Sequence, residues 1–190
     1  MYTEWADKLS LALVSAYKEP DLSVIDMSKR AAVLALIVLD PEPALIYTLR
    51  ARHLNQHAGE VCFPGGKFDP VDSNLCETAL RETREEIGLP APQIQLLGAL
   101  PPRMTRSGML VHPYVGLVPK AFEPRLNHHE LELMFTVPLA AFAAGVQVRT
   151  DVFEHHGQRF RLPVYHYAEQ TIWGFTAGVT QDLLSALNKC

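Results

Sequence analysis

The sequence predicts a layered α/β domain. Apolar runs of strand length recur along the chain, and segments with helical apolar spacing stand before, between and after them. No internal repeat, low-complexity tract or long linker divides the chain. Its 190 residues therefore suit one domain over 1–190, with residues 1–30 as an N-terminal helical extension.

The elements follow in order. Trp5, Leu9, Ala12, Leu13 and Ala16 recur at helical spacing and predict a helix over 3–18. AAVLALIVLD, residues 31–40, is an apolar run expected as a buried strand. The turn DPEP hands it to a hairpin partner, ALIYTLRA, at 44–51. Residues 61–64 add a short strand. A helix over 74–87 is started by the Asp/Ser/Asn cluster at 72–74 and stopped by Gly88 and Pro90. Strands are expected at 94–100 and, from apolar alternation, at 111–118. Another is expected at 131–137, followed by a short helix begun by VPLAAFAAG. A late hairpin near 148–167 and a C-terminal helix over 176–188 complete the series. Trp173 is expected in the core, as are Cys62 and Cys76.

Composition removes several functional classes. A formal charge of −4 gives no global attraction to nucleic acid or anionic membrane. The longest apolar run, residues 31–39, is too short for a bilayer span of ~20 residues. MYTEWADKLS carries acids and lacks the apolar centre of a signal peptide. The three cysteines, Cys62, Cys76 and Cys190, have no CxxC spacing, which argues against a disulfide framework and fits a reducing compartment. A cytoplasmic protein with a small-molecule partner is expected, without nucleic acid or membrane; a homodimer is compatible, two-fold pairs being the commonest assembly. His53 with His57, and His128 with His129, lack cysteine partners or an HExxH frame, so zinc is not expected.

The helix at 74–87 carries the chemistry. At ~100° per residue, Glu82, Glu85 and Glu86 share one face, beside an apolar stripe of Cys76, Ala79, Leu80, Thr83 and Ile87. Like charges at this spacing repel. Arg81 can pair with Glu77 or Glu85. Gly65-Gly66, one loop upstream, lets bare backbone approach a ligand. Hard divalent ions such as Mg²⁺ take carboxylate and carbonyl oxygens and would relieve the repulsion.

These residues resemble the Nudix box, G-x5-E-x7-R-E-U-x-E-E-x-G-U, where U is bulky and aliphatic. Gly66, Arg81, Glu82, Glu85, Glu86, Gly88 and Leu89 match it. The interval from Gly66 to Arg81 is one residue longer than usual. Asp72, or Ser73 by counting back from Arg81, replaces the early Glu, and Thr83 stands at a U position. Upstream, residues 46–66, IYTLRARHLNQHAGEVCFPGG, are similar to LLTxRSx3Rx3Gx3FPGG of the coenzyme A pyrophosphatases within that family. Thr48, Arg50, Gly59 and Phe63-Pro64-Gly65-Gly66 fit, whereas Ala51 replaces Ser and Asn55 replaces the second Arg. SGMLVHPYVG (107–116), NHHELELMFTVPL (127–139) and IWGFTA (172–177) extend the likeness to most of the chain.

The resemblance implies a Nudix α/β/α sandwich with a mixed sheet. It also implies Mg²⁺- or Mn²⁺-dependent hydrolysis of the pyrophosphate of CoA and CoA thioesters to 3′,5′-ADP and (acyl-)4′-phosphopantetheine. Metal ligands would be Glu82, Glu85, Glu86 and the Gly66 carbonyl. Glu82, Glu85, Arg81 and Glu130 would serve catalysis, the general base being a box glutamate or Glu130. Arg50, Arg52, His57, Gly59, Phe63 and Gly65 would contact substrate. The alternatives are a Nudix hydrolase of another nucleoside diphosphate, such as ADP-ribose or NADH, and a non-catalytic nucleotide-sensing domain.

Overall fold

The computed structural model describes residues 6–7, 9–11, 13, 26–118, 122–155 and 158–188. The apolar run after residue 30 becomes β1 (Arg30–Val38), the centre of a mixed sheet. It pairs antiparallel with β2 (Ala44–Arg50) and parallel with β7 (Leu110–Val118), so Arg30 stands opposite Leu110 and Val38 opposite Val118. β8 (Leu131–Pro138) adds to β2, and β5 (Gln95–Ala99) and β6 (Arg103–Met104) add to β7, all antiparallel. Apart from slips of a residue or two, these strands stand where the sequence predicts them, except β6, which was not expected.

β1 is continuously apolar because both of its faces are covered. Ala32, Leu34, Leu36 and Val38 pack on α1 (Leu75–Ile87) through Leu75, Ala79 and Ile87. Ala35 and Ile37 point the other way, against Ala177, Val179, Leu183 and Ala186 of α3 (Gly174–Leu187). Ala6, Leu9 and Leu13 join this second cluster from the predicted N-terminal helix. Their described neighbours are helical, and Ser10 Oγ donates to the Leu97 carbonyl at 2.8 Å; the rest of 3–18 lies outside the described residues.

Two expectations change. The strand predicted at 61–64 divides into β3 (Val61–Cys62), paired with β2, and β4 (Gly65–Lys67), which crosses to β1. Pro64 has no N–H to continue a ladder, and its carbonyl accepts from Leu34 N at 2.8 Å at the crossover. The late hairpin forms as β9 (Gln147–His155) and β10 (Gln158–Tyr167), after the short α2 (Leu139–Ala143). A third strand, β11 (Gln170–Ile172), makes it a separate three-stranded sheet beside α3. Among the described residues no helix is long and apolar enough to cross a membrane.

Candidate active site

Helix α1 is fixed at both ends. Asn74 Oδ1 accepts from Glu77 N at 2.9 Å while Glu77 Oε2 accepts from Ser73 N at 2.8 Å, so the first turn is capped reciprocally. Gly88 ends the helix in the left-handed region, φ 74°. The Glu77–Arg81 pair allowed by spacing does not form, because Glu77 is engaged in the cap.

Arg81 instead becomes the hub of the acidic face. Its Nε and Nη2 donate to Asp72 Oδ1 and Oδ2 at 2.9 and 3.0 Å, and Nη2 reaches the Lys67 carbonyl at 3.2 Å. Nη1 donates to Glu82 Oε1 at 2.8 Å and to Glu85 Oε2 at 3.1 Å. These contacts occupy the whole guanidinium fork, so Arg81 orients the glutamates, a positioning role beside the catalytic one expected from the resemblance. The guanidinium, with help from Thr78 Oγ1 and Asp69 N, holds the Asp72 carboxyl below the usual carboxylate range against the opposing effect of burial. Its stabilising effect is therefore present above the unfolded value and is lost as pH falls through the lower folded one. Asp72→Asn should cost about 3 kcal/mol and roughly 10 °C in Tm, read by thermal melts at neutral pH. The difference from wild type should close under acid, as the wild-type carboxyl protonates.

The three glutamates differ in environment. The Glu85 side chain is 47% exposed, that of Glu82 is 18% exposed, and that of Glu86 is 2% exposed. Burial pushes the Glu86 carboxyl up to about 8, and Glu82 and Glu130 add to this; the Gly65 N–H, 3.1 Å from Oε2, and Arg50 oppose it. Burial also raises Glu82, with Arg81 opposing. Arg50 Nη1 is 3.8 Å from Glu86 Oε1, a loose contact, and Arg50 Nε is buried without a hydrogen-bond partner among the described residues.

Both glycines are explained by close approach. A Cβ on Gly65 would collide with the Ala32 carbonyl and Val33 of β1; one on Gly66 would sit inside the Glu82 carboxylate. Helix and glycine strand can meet only without those side chains. Glu130 comes to the same sheet end by a strap: Asn127 N donates to the Glu86 carbonyl at 2.9 Å, Asn127 Nδ2 to Glu130 Oε1 at 3.1 Å, and Ala51 N to the Glu130 carbonyl at 2.8 Å. Asn127 was not anticipated, although its three-residue spacing from Glu130 is a turn signature.

The structure thus brings together Glu82, Glu85, Glu86, Gly65, Gly66, Arg50, Arg81 and Glu130. Three expected substrate residues stand outside that cluster. Arg52 is exposed and 3.4 Å from Glu132, and His57 Nδ1 is 2.9 Å from Glu60 Oε2 on the 51–60 loop that also carries Gly59. Phe63 is a correction: it is 2% exposed and stacks on Tyr47 at 4.8 Å, so its ring fills the core. Cys62, expected in the core, is only partly buried, with its thiol pushed up to about 12 by burial. Trp173, expected in the core, is 38% exposed.

The NUDIX domain model matches residues 28–156. The chain belongs to the Nudix family of hydrolases. It is 43% identical over 162 residues to Nudix hydrolase NudL of Yersinia enterocolitica, covering 85% of this chain and 83% of that one. Against NudL of Pectobacterium atrosepticum the identity is 39% over 165 residues, covering 86% and 85%. Among solved structures, a MutT/nudix family protein from Enterococcus faecalis aligns over all of this chain and 75% of its own, with TM-score 0.56 and 12% identity. The C. elegans Ap4A hydrolase binary complex aligns over 60% of this chain and 83% of its own, with TM-score 0.51 and 18% identity. These likenesses establish the expected α/β architecture with its mixed sheet.

Nudix hydrolases generally use divalent ions such as Mg²⁺ or Mn²⁺. The donor set here suits one: a buried and a partly buried carboxylate, both raised by burial, hard oxygens throughout, and a glycine where a Cβ would fill the space beside Glu82. Among the described residues no three acidic, His or Cys side chains already converge as a cage. Arg81 and the Gly65 N–H hold the carboxylates meanwhile. Glu82, Glu86 and the Gly66 carbonyl are the groups that would hold an ion, with Glu85 at the exposed rim.

Proposed function

We propose that this protein hydrolyses the pyrophosphate linkage of coenzyme A and acyl-CoA, giving 3′,5′-ADP and 4′-phosphopantetheine or its acylated form, in the cytoplasm. The observation that carries a phosphate substrate is Arg50. At the end of the strand that leads into the 51–60 loop, its Nη1 lies 3.8 Å from the Glu86 carboxylate and its buried Nε has no hydrogen-bond partner among the described residues. A phosphate oxygen supplies the acceptor that this donor lacks. The CoA assignment is supported by the likeness of residues 46–66 to the coenzyme A pyrophosphatase motif.

A pyrophosphate diester repels incoming hydroxide, so charge must be screened before water attacks phosphorus. A bound divalent ion supplies that screening and acidifies water. The chain's own residues do the rest. Glu82 and Glu86 present oxygens from one helical turn, Arg81 holds Glu82 and Glu85 in their rotamers, and Arg50 orients a phosphate. Glu130, fixed by Asn127, accepts the proton of the attacking water.

With Mg²⁺ or Mn²⁺, the protein should release 3′,5′-ADP from CoA, measured by chromatography of the products. No turnover of CoA or any CoA ester would defeat the assignment. Asn55, in place of the motif's second Arg, favours a second reading in which ADP-ribose or NADH is the better substrate. A panel ranked by kcat/KM separates the two.

A further inference from the structure

Residues 172–177, IWGFTA, enter none of the steps above, yet they break local preferences three times in succession. Trp173 holds the N-cap position of α3 and gives the helix no side-chain hydrogen bond; Ser, Thr, Asp and Asn are favoured there. Gly174 follows with φ 61°, and a Cβ on it would meet nothing within 4 Å among the described residues. Trp173 is also the one aromatic among the large apolar side chains exposed by the described residues, although its neighbours Ile172 and Thr176 are buried. Such departures concentrate where function, not stability, selects the residue.

The position is set by the strand that feeds the glycine pair. Thr176 Oγ1 donates to the Val61 carbonyl at 2.9 Å in the interior, which pins the first turn of α3 to β3. Ile172 packs in the same cluster as Val61 and Phe63. Val61 is the β3 residue next to the 51–60 loop, and Gly65 lies four residues on, at most ~14 Å of extended chain. The start of α3 and the carboxylate site are thus joined by the short segment that runs from β3 into β4.

We propose that Trp173 is the surface on which the adenine ring of the substrate stacks. This rests on the nucleoside diphosphate reading but not on CoA in particular, since CoA, ADP-ribose and NADH all carry adenine. An indole left in water offers a wide flat face, which suits a planar base better than a flexible pantetheine arm. Stacking of one base on an aromatic side chain is worth roughly 5- to 150-fold in affinity.

Trp5 is the other tryptophan of the sequence, so a Trp5→Phe protein reports fluorescence through Trp173. Titration of that protein with 3′,5′-ADP should quench it saturably, and 4′-phosphopantetheine should not. On whichever adenine-bearing substrate is turned over, Trp173→Ala should raise KM about tenfold or more and leave kcat within about threefold, with Trp173→Phe recovering most of the loss. Quenching by phosphopantetheine but not by 3′,5′-ADP, or an unchanged KM in Trp173→Ala, overturns the proposal. Should CoA prove not to be hydrolysed, the substrate assignment falls alone, because titration with ADP-ribose and 3′,5′-ADP still decides the role of Trp173. The titration uses the native ring, so it holds even where the Ala variant fails to fold.

Discussion

Glu86→Gln should lower kcat at least ~100-fold and, at the same time, raise the melting temperature of the metal-free protein. The activity loss follows from removing the most buried carboxylate of the cluster, by analogy with losing a main electrostatic stabiliser. The stability gain follows from linkage. Burial lifts the Glu86 carboxyl to about 8, so the folded protein binds this proton more tightly than the unfolded chain does. The favourable contribution of the protonated form is complete below the unfolded value and is lost as pH rises through about 8. At neutral pH the folded state carries a cost on the order of 3 kcal/mol, most of which the neutral amide avoids while still accepting from the Gly65 N–H. The variant should melt several degrees higher at pH 8, with the difference shrinking toward pH 5. A variant melting lower than wild type at pH 8 would show that Glu86 is not held at a cost.

Gly65→Ala should destabilise the protein by about 3 kcal/mol or more. The added methyl meets backbone, the Ala32 carbonyl and Val33 Cα, in a strand buried on both faces. It also meets the backbone restriction at φ 154°. Relief requires β4 to leave β1, which withdraws the Gly65 N–H from Glu86 and moves Gly66 from Glu82, so activity should fall with stability. Gly145→Ala is the control: φ is again positive, at 98°, but nothing lies within 4 Å, so only the backbone cost of about 1 kcal/mol applies. Chemical denaturation of both variants separates collision from strain. Equal losses would contradict the close approach of β4 to β1.

Much of this architecture was legible in the sequence, for local reasons. The hairpin of β1 and β2 shows as two apolar runs around DPEP, and α1 shows in its Asn74 cap, its glutamate face and Gly88. What escaped depends on contacts distant in sequence. β4 is two glycines and a lysine, which give no periodic signal; it is a strand only because β1 passes beside it. The parallel pairing of β1 with β7 joins residues some 80 apart. Phe63 sits in a motif tied to substrate, but in the link from β3 to β4 its ring turns into the core and stacks on Tyr47. Asp72 was an unassigned acid until the Arg81 fork closed on it, and Trp173 carried the hydrophobicity of a core residue without its burial. The cluster itself was readable, since Glu82, Glu85 and Glu86 follow helical spacing. Their unequal burial was not, because it depends on how the Gly65–Gly66 strand crosses the helix.

The most direct test is anomalous diffraction from a crystal soaked in Mn²⁺, recorded at the manganese edge. The account predicts a peak in coordination distance of Glu82, Glu86 and the Gly66 carbonyl, with the Arg81 contact to Glu82 loosened. A well-ordered crystal at saturating Mn²⁺ with those side chains still on Arg81 and Gly65, and no peak among them, would contradict it.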